Sequence, residues 1–417
     1  MTTPQPPSQD ASQPTATQYS ARRELWLLIT LAGIQFTHIV DFMVMMPLGP
    51  QFTKLFAISD AQFGLLVSAY TFAAGASGLL SSLYIDRFGR KKLLLALYVL
   101  FALATLSCSL APTYEALLLA RVAAGTFGGV LSSLSQTILG DVVPFERRGR
   151  AMGIVMSSFS AATVAGVPLS LFLAAHVSWH APFVAIAAVC GVLAVFAWRT
   201  LPPLTDHLQR ERPSAIKGIV AVVSDTKHLW AFAFSALLMF AGFTVIPYLT
   251  IYYTSNAGLT AEQLPYIYLC GGAATLVTAR LIGKWTDQVG KVTMFRRMAA
   301  VTAVAMLVIT QTAVLPLWGI LIGTTVFFIC MNGRMIPGMA IITSSCKPEL
   351  RGTFMALNSA VQSAAMGVAA FVGGLIVSRD AQGLIQNYGG NAALGIFASI
   401  VGIWLVGKLT LFGAASK

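Results

Sequence analysis

Apolar and polar stretches alternate along the chain in twelve long apolar runs, near residues 25–49, 61–84, 93–111, 114–140, 149–175 and 179–200, then 229–254, 262–285, 294–314, 316–345, 351–378 and 390–412. Each is long enough, at about 1.5 Å per residue, to cross roughly 30 Å of hydrocarbon as a helix. Between the sixth and seventh lies Leu201 to His228, with Pro202, Pro203, Asp206, Arg210, Glu211 and Arg212, too polar to span. The pattern predicts an all-α membrane protein: a tail over 1–24, a six-helix bundle over 25–200, a linker over 201–228, a second six-helix bundle over 229–412 and a short tail over 413–417. Residues 1–21 are rich in Pro, Gln, Ser and Thr and read as disordered. The first apolar run exceeds a signal-peptide core and leads directly into further spans, so it is expected to remain a helix.

The halves repeat. Asp86-Arg87-Phe88-Gly89-Arg90-Lys91-Lys92, between runs two and three, returns in reduced form as Asp287-Gln288-Val289-Gly290-Lys291, with 287 − 86 = 290 − 89 = 201. Glu146-Arg147-Arg148-Gly149 returns as Glu349-Leu350-Arg351-Gly352, with 349 − 146 = 352 − 149 = 203. Two nearly equal offsets predict a duplication.

Composition supports the membrane reading. Of 417 residues 56% are hydrophobic and 10% charged, too few charges to cover a soluble globule. The net charge of +12 is scattered between apolar runs and forms no basic stripe, so no nucleic-acid partner is expected. If the N-terminus is cytoplasmic, the outer loops hold only Lys54 and Arg379, and Arg121, Arg280 and Arg334 lie within runs. That leaves 27 − 2 − 3 = 22 basic residues on the cytoplasmic side, which predicts both termini and the linker inside. Five cysteines without ligand spacing read as small hydrophobes, and His176 and His180 lack a metal-ligand set. Neither a metal nor a cofactor is expected. No Gly-x-x-x-x-Gly-Lys-Ser/Thr loop occurs, so ATP is not the expected energy source.

Ser82-Leu83-Tyr84-Ile85-Asp86-Arg87-Phe88-Gly89-Arg90-Lys91 resembles the loop 2/3 signature of the major facilitator superfamily, Gly-x-x-x-Asp-Arg-x-Gly-Arg-Lys, with Ser82 at its first glycine. Arg121-Val122-Ala123-Ala124-Gly125 is similar to its fourth-helix Arg-x-x-x-Gly motif, and Gly166-Val167-Pro168-Leu169 resembles the fifth helix of bacterial arabinose-efflux-permease-like and drug:proton antiporter proteins. In the full antiporter motif Ala162 and Ser170 replace the outer glycines, and Val167 intervenes before the proline. The resemblance covers residues 22–412. It implies two bundles rocking around a central site, in a monomeric transporter of the bacterial inner membrane whose partners are a small molecule, protons and the bilayer. It implies no enzyme. The expected activity is proton-coupled efflux of small organic or amphipathic solutes; a uniporter, a lysolipid exporter or a transporter-like sensor stand as alternatives. It also implies a gate in which Asp86, with Arg87, Gly89 and Arg90, meets the start of the eleventh helix at Arg351 and Gly352. By the repeat, Asp287 and Gly290 face Arg148 and Gly149 at the start of the fifth.

Asp41 alone among the fifteen acids lies deep in a span, where ionisable groups are costly and mark proton or substrate pathways. It sits about 11 Å from the outer end of its run, and Arg121 about 9 Å from the outer start of the fourth, so the two can share a level. A guanidinium neighbour favours the carboxylate and desolvation the acid, so substrate or conformation can tip such a site. Gln35, His38, Asp41 and Met45 fall within about 120° of the helical wheel and are expected to face the cavity, His38 as a proton relay. Arg121, Gly125, Gly128, Ser132 and Gln136 form a fourth-run stripe. Arg334, in Met331-Asn332-Gly333-Arg334-Met335-Ile336-Pro337, has no evident acidic partner and is expected to bind an anionic group, the competing account being backbone carbonyls freed by Pro337. Tyr70, Tyr248, Asn358 and Gln362 are expected at the cavity with Gln35, Asn332 and Gln136. Arg280, about one turn from the end of its run, can snorkel.

Overall fold

The computed structural model describes residues 21–81, 83–143, 147–205, 208 and 215–412. Among them twelve helices are long and apolar enough to cross a membrane. They are α1 (Ala21–Val44), α2 (Asp60–Ser81), α3 (Arg90–Ser109), α4 (Tyr114–Val142), α5 (Arg148–His176), α6 (Ala181–Thr200), α7 (Thr226–Asn256), α8 (Leu264–Val289), α9 (Lys291–Ile309), α10 (Leu317–Ser344), α11 (Arg351–Ile376) and α12 (Tyr388–Leu405).

Local chemistry sets the ends. Ser59 and Gln62 exchange backbone-to-side-chain hydrogen bonds (2.9 and 3.2 Å), a capping box that starts α2. Thr113 caps α4 and Asp225 caps α7 by accepting from Ala116 and Lys227 N–H. Gly290, at φ 92, turns the chain between α8 and α9, a conformation that costs any other residue. Where the first run was expected to continue to 49, α1 stops at Val44, and Gly49–Leu55 forms a separate short helix with Pro50 in its first turn.

Two helices are interrupted. In α5, Ala162–Gly166 is a π-helical segment just before Pro168. In α7, the helix breaks after Phe243 and resumes at Leu249, with a 3-10 turn at Ile246–Tyr248 around Pro247. Carbonyls freed there cannot turn to water inside a membrane. Asn391 Nδ2 donates to Thr244 O at 2.9 Å and Tyr388 Oη to Val245 O at 2.9 Å, so α12 supplies what the break removed.

The first six helices pack chiefly among themselves, as do the last six, and the halves meet along α2 with α11 and α5 with α8. On the face carrying the α1–α2 and α11–α12 connections they are sealed. Tyr248 Oη donates to Ala370 O, Thr250 Oγ1 to Met46 O at 3.2 Å and Ser68 Oγ to Gly367 O at 2.7 Å. The opposite face carries the linker, whose short helix Ala215–Val223 rests on the start of α11, with Gly218 beside Thr353.

Candidate functional site

Between the halves lies a cavity of about 390 Å3, walled by α1, α5, α7, α8, α10 and α11, within the range of small-molecule sites. Its depth follows from α1: Gln35 and Met43 both line it, eight residues or about 12 Å apart, and Met46, just past the helix end, extends it further. The wall divides by chemistry. Toward the linker face lie Gln35, Thr275, Asn332, Arg334 and Gln362; toward the sealed face lie Met43, Met46, Phe243, Ile246, Phe328 and Met366. The zoning is not complete: Phe159, Leu238, Met239 and Met335 lie at the level of the polar groups, and the hydroxyl of Tyr268 lies in the apolar half without a hydrogen-bond partner among the described residues. Six methionines contribute to the wall; unbranched and polarisable, they adapt to more than one apolar shape.

Arg334 is the charged group of this wall. It is 1% exposed. Its Nη2 donates to Leu238 O on α7 at 3.1 Å and its Nη1 to Ser399 Oγ on α12 at 3.3 Å. Gly242 admits it: a Cβ there would stand 3.1 Å from Nη2. The carbonyl it reaches is therefore not one freed by Pro337 in its own helix, as the competing sequence account had it, but one on α7. Two of five N–H groups are used, Nε has no partner, and no described carboxylate pairs with it.

A second polar cluster lies inside the first bundle. Arg121 Nη1 donates to Asp41 Oδ2 at 3.0 Å and to Asp41 O at 3.3 Å, and Thr105 Oγ1 donates to Asp41 Oδ1 at 3.2 Å. Both charged side chains are fully buried. The guanidinium carbon lies 4.2 Å from the centroid of the Tyr70 ring, a desolvated cation–π contact. Around this pair, both nitrogens of His38, the Tyr70 hydroxyl and Nε and Nη2 of Arg121 lack partners among the described residues. Gly125 and Gly128 open the space, since a Cβ at Gly128 would lie 2.7 Å from His38 Nε2 and one at Gly125 would collide with the Tyr70 backbone.

The expected polar stripe of α1 is thus divided: Gln35 lines the cavity, whereas Asp41 and Met45 are buried, His38 is half-buried, and none of the three is part of its wall. Phe42 connects the two sites. It lines the cavity, stacks on Tyr70 at 5.4 Å and lies 6.0 Å from Phe243. Of the residues expected at the cavity, Gln35, Asn332, Arg334 and Gln362 line it. Gln362 donates to Ser235 Oγ at 2.9 Å, and Asn332 to Phe328 O in its own helix at 3.2 Å. Four lie elsewhere: Tyr70 under Arg121, Tyr248 at the sealed face, Asn358 buried in α11 and Gln136 exposed on α4. Spacing gave no signal for Thr105, an ordinary residue of an apolar run, or for the methionine wall.

At the linker face, the carboxylate of Asp86 and the side chain of Arg148 lie outside the described residues, as do the surroundings of Gly149. Arg90 is buried and donates from Nη1 to Ile85 O at 3.1 Å; its N–H donates to Leu204 O at 3.0 Å, and Lys91 Nζ to Leu201 O at 2.5 Å. The start of α3, just after this turn, is therefore docked on the start of the linker. Arg351, Gly352, Asp287 and Gly290 are exposed, and Asp287 has no ion-pair partner among the described residues.

Against known proteins, the sequence profile of the Major Facilitator Superfamily matches residues 31–370. The chain is similar to an uncharacterized MFS-type transporter, YtbD of Bacillus subtilis (strain 168), at 26% identity over 357 residues, covering 84% of this chain and 85% of that one. By fold it is similar to a D-xylose–proton symporter (TM-score 0.77, 17% identity, 92% of this chain and 98% of that chain). It is also similar to a bacterial homolog of the human lysosomal transporter Spinster, solved inward-facing and unoccupied (TM-score 0.69, 15% identity, 94% and 98%).

Proposed function

Because the chain belongs to the Major Facilitator Superfamily, we propose that it is a proton-coupled secondary transporter that exports amphipathic, preferentially anionic small molecules by alternating access. That it is an integral membrane transporter and not an enzyme follows from the family; substrate, coupling and direction are our reading. One observation carries it: a buried arginine, Arg334, stands without a carboxylate partner among the described residues, in the wall of a methionine- and phenylalanine-lined cavity. An unpaired guanidinium in low dielectric is costly, and a carboxylate, phosphate or sulfonate on the substrate relieves it with charge-assisted hydrogen bonds. The apolar end of the cavity then takes the rest of the molecule.

Coupling is assigned to Asp41 and Arg121, with His38 beside them. A static ion pair is expected to have its remaining donors satisfied. Here five polar atoms around the pair have no partner among the described residues, which supports a site that exchanges protons. Phe42 supplies the connection, since an occupant of the cavity touches one side of its ring while Tyr70, beneath Arg121, touches another. Substrate binding thereby shifts the packing under the guanidinium and with it the balance between protonated and ionised Asp41.

We read the linker face and both termini as cytoplasmic in a bacterial inner membrane, an orientation that the basic-residue count supports. The sealed face is then periplasmic, and the described conformer is inward-facing. When that side closes, the loop carrying Asp86 meets the start of α11 at Arg351 and Gly352, and the end of α8 with Asp287 meets Arg148 and Gly149, a carboxylate against each helix N-terminus. A monomer divided at the linker suffices for this motion.

Proton flux in proteoliposomes, measured on adding anionic, neutral and cationic amphiphiles in turn, tests the proposal. Flux driven by anionic compounds and abolished in Asp41→Asn is expected; substrate movement without proton flux would leave a uniporter.

A further inference from the structure

The polar side chains of the cavity have mostly committed their protons to the protein and kept their lone pairs. Thr163 and Thr275 donate their hydroxyls to Phe159 O and Gly272 O in their own helices, each at 2.8 Å. Asn332 donates from Nδ2 to Phe328 O at 3.2 Å; a carbonyl only accepts, so that amide is fixed with Oδ1 uncommitted. Gln362 donates from Nε2 to Ser235 Oγ at 2.9 Å and to the sulfur of Met339 at 3.5 Å. A thioether has no proton to give, so Oε1 is again left over. Neither amide oxygen accepts a bond from a described residue, and both belong to half-buried side chains in the cavity wall.

These acceptors stand close to the one cation of the wall. Arg334 and Gln362 both reach α7, at Leu238 O and Ser235 Oγ, three residues or about 5 Å apart along that helix. Asn332 precedes Arg334 by two residues on α10, about 3 Å along its axis. A hydrocarbon chain laid over Oδ1 and Oε1 would remove their water and return nothing, and an unpaired buried acceptor costs more than a hydrogen bond gains. An ammonium group would bring donors, but it would meet the Arg334 guanidinium with no carboxylate among the described lining residues to offset the repulsion. The group that satisfies all three side chains is an anion with a neutral N–H or O–H next to it.

We propose that the substrate is an organic acid carrying a hydroxyl or amide N–H beside its anionic group, with Arg334 taking the anion and the oxygens of Gln362 and Asn332 accepting from the neutral donor. The inference rests on the transport reading above and adds the chemistry of the head. Hydroxy acids and N-acyl amino acids have this arrangement; plain fatty acids and amines do not. Gln362 and Asn332 thereby set specificity, because a site whose polar groups must be paired discriminates against an analogue that lacks the donor. The methionine and phenylalanine side chains toward the sealed face take the apolar remainder.

The test measures dissociation constants by titration calorimetry on the full-length protein with three acids of one chain length: decanoate, 2-hydroxydecanoate and 2-methoxydecanoate. The hydroxy acid is expected to bind roughly three- to tenfold tighter than decanoate, the effect of one net hydrogen bond. The methoxy acid, which can accept but not donate, is expected to bind no tighter than decanoate. Gln362→Met with Asn332→Leu should abolish the preference for the hydroxyl without weakening decanoate, whereas Arg334→Gln should weaken all three acids and keep their order. N-octanoylglycine against N-octanoylsarcosine, which lacks the N–H, repeats the comparison on the unmodified protein and needs no variant to fold. Equal binding of decanoate and the hydroxy acid, a methoxy acid as tight as the hydroxy acid, an N-octanoylsarcosine as tight as its N–H analogue, or a preference that survives Gln362→Met with Asn332→Leu overturns the inference and leaves the anionic reading standing. Failure of all the acids to bind overturns both.

Discussion

Asp60 and Arg379 form a two-pronged ion pair across the sealed face, Nη2 to Oδ1 at 2.7 Å and Nε to Oδ2 at 2.8 Å. The carboxylate belongs to the first turn of α2, and the guanidinium to a two-stranded hairpin, Ser378–Arg379 with Ile385–Gln386, between α11 and α12. Asp60 is 5% and Arg379 35% exposed at the side chain. The bond crosses from one bundle to the other, so opening this face must break it.

Asp60→Asn is therefore expected to favour opening. With one partner facing solvent the pair is worth about 1 kcal/mol after screening, or roughly a fivefold shift between conformers. A cysteine at Met366, labelled by an impermeant thiol reagent from the sealed side, reports the shift. The exchange Asp60→Arg with Arg379→Asp should restore the original labelling; if the single variant labels like the parent, the pair is not a lock.

The topology is expected to place both termini and the linker on the cytoplasmic side. Single cysteines at Asp10, Ala215 and Ser416, in a chain freed of its five native cysteines, should resist an impermeant thiol reagent on intact cells and react after lysis. Labelling of any one before lysis rejects the orientation.

Asp41→Asn should retain exchange of substrate and lose accumulation driven by a pH gradient, because the amide keeps the shape without titrating. Arg121→Lys should impair coupling as well, since an ammonium cannot reproduce a guanidinium that both donates to Asp41 and stands over the Tyr70 ring. Removing one partner of a buried pair costs about 3–5 kcal/mol, so thermal stability must be measured alongside. Gradient-driven accumulation by a folded Asp41→Asn protein would move the proton carrier elsewhere.

Arg334→Gln should weaken anionic amphiphiles by at least about tenfold, the effect of losing roughly 1.4 kcal/mol, and leave neutral analogues of equal length nearly unchanged. Isothermal titration of matched pairs provides the measurement. Equal loss for both would assign Arg334 to holding α7 and α12 through Leu238 and Ser399.

Twelve helices were legible in the sequence because hydrocarbon leaves little choice: a backbone crossing it must bond internally, so length and apolarity alone mark each span. The burial of Asp41 and Arg121 within spans was legible for the same reason, and their similar depth followed from the rise per residue. What the wheel could not supply was direction. Gln35, Phe42, Met43 and Met46 centre on a line about 20° to one side of Gln35, whereas His38, Asp41 and Met45 centre about 90° to the other. Nothing in a chain of apolar neighbours says which of these lines meets the cavity and which meets α3 and α4. Likewise Arg334 carried no mark that its partners would be Leu238, 96 residues back, and Ser399, 65 residues ahead. One-dimensional periodicity fixes where a side chain stands around its own axis and how deep; only the packing of the bundles decides what stands opposite.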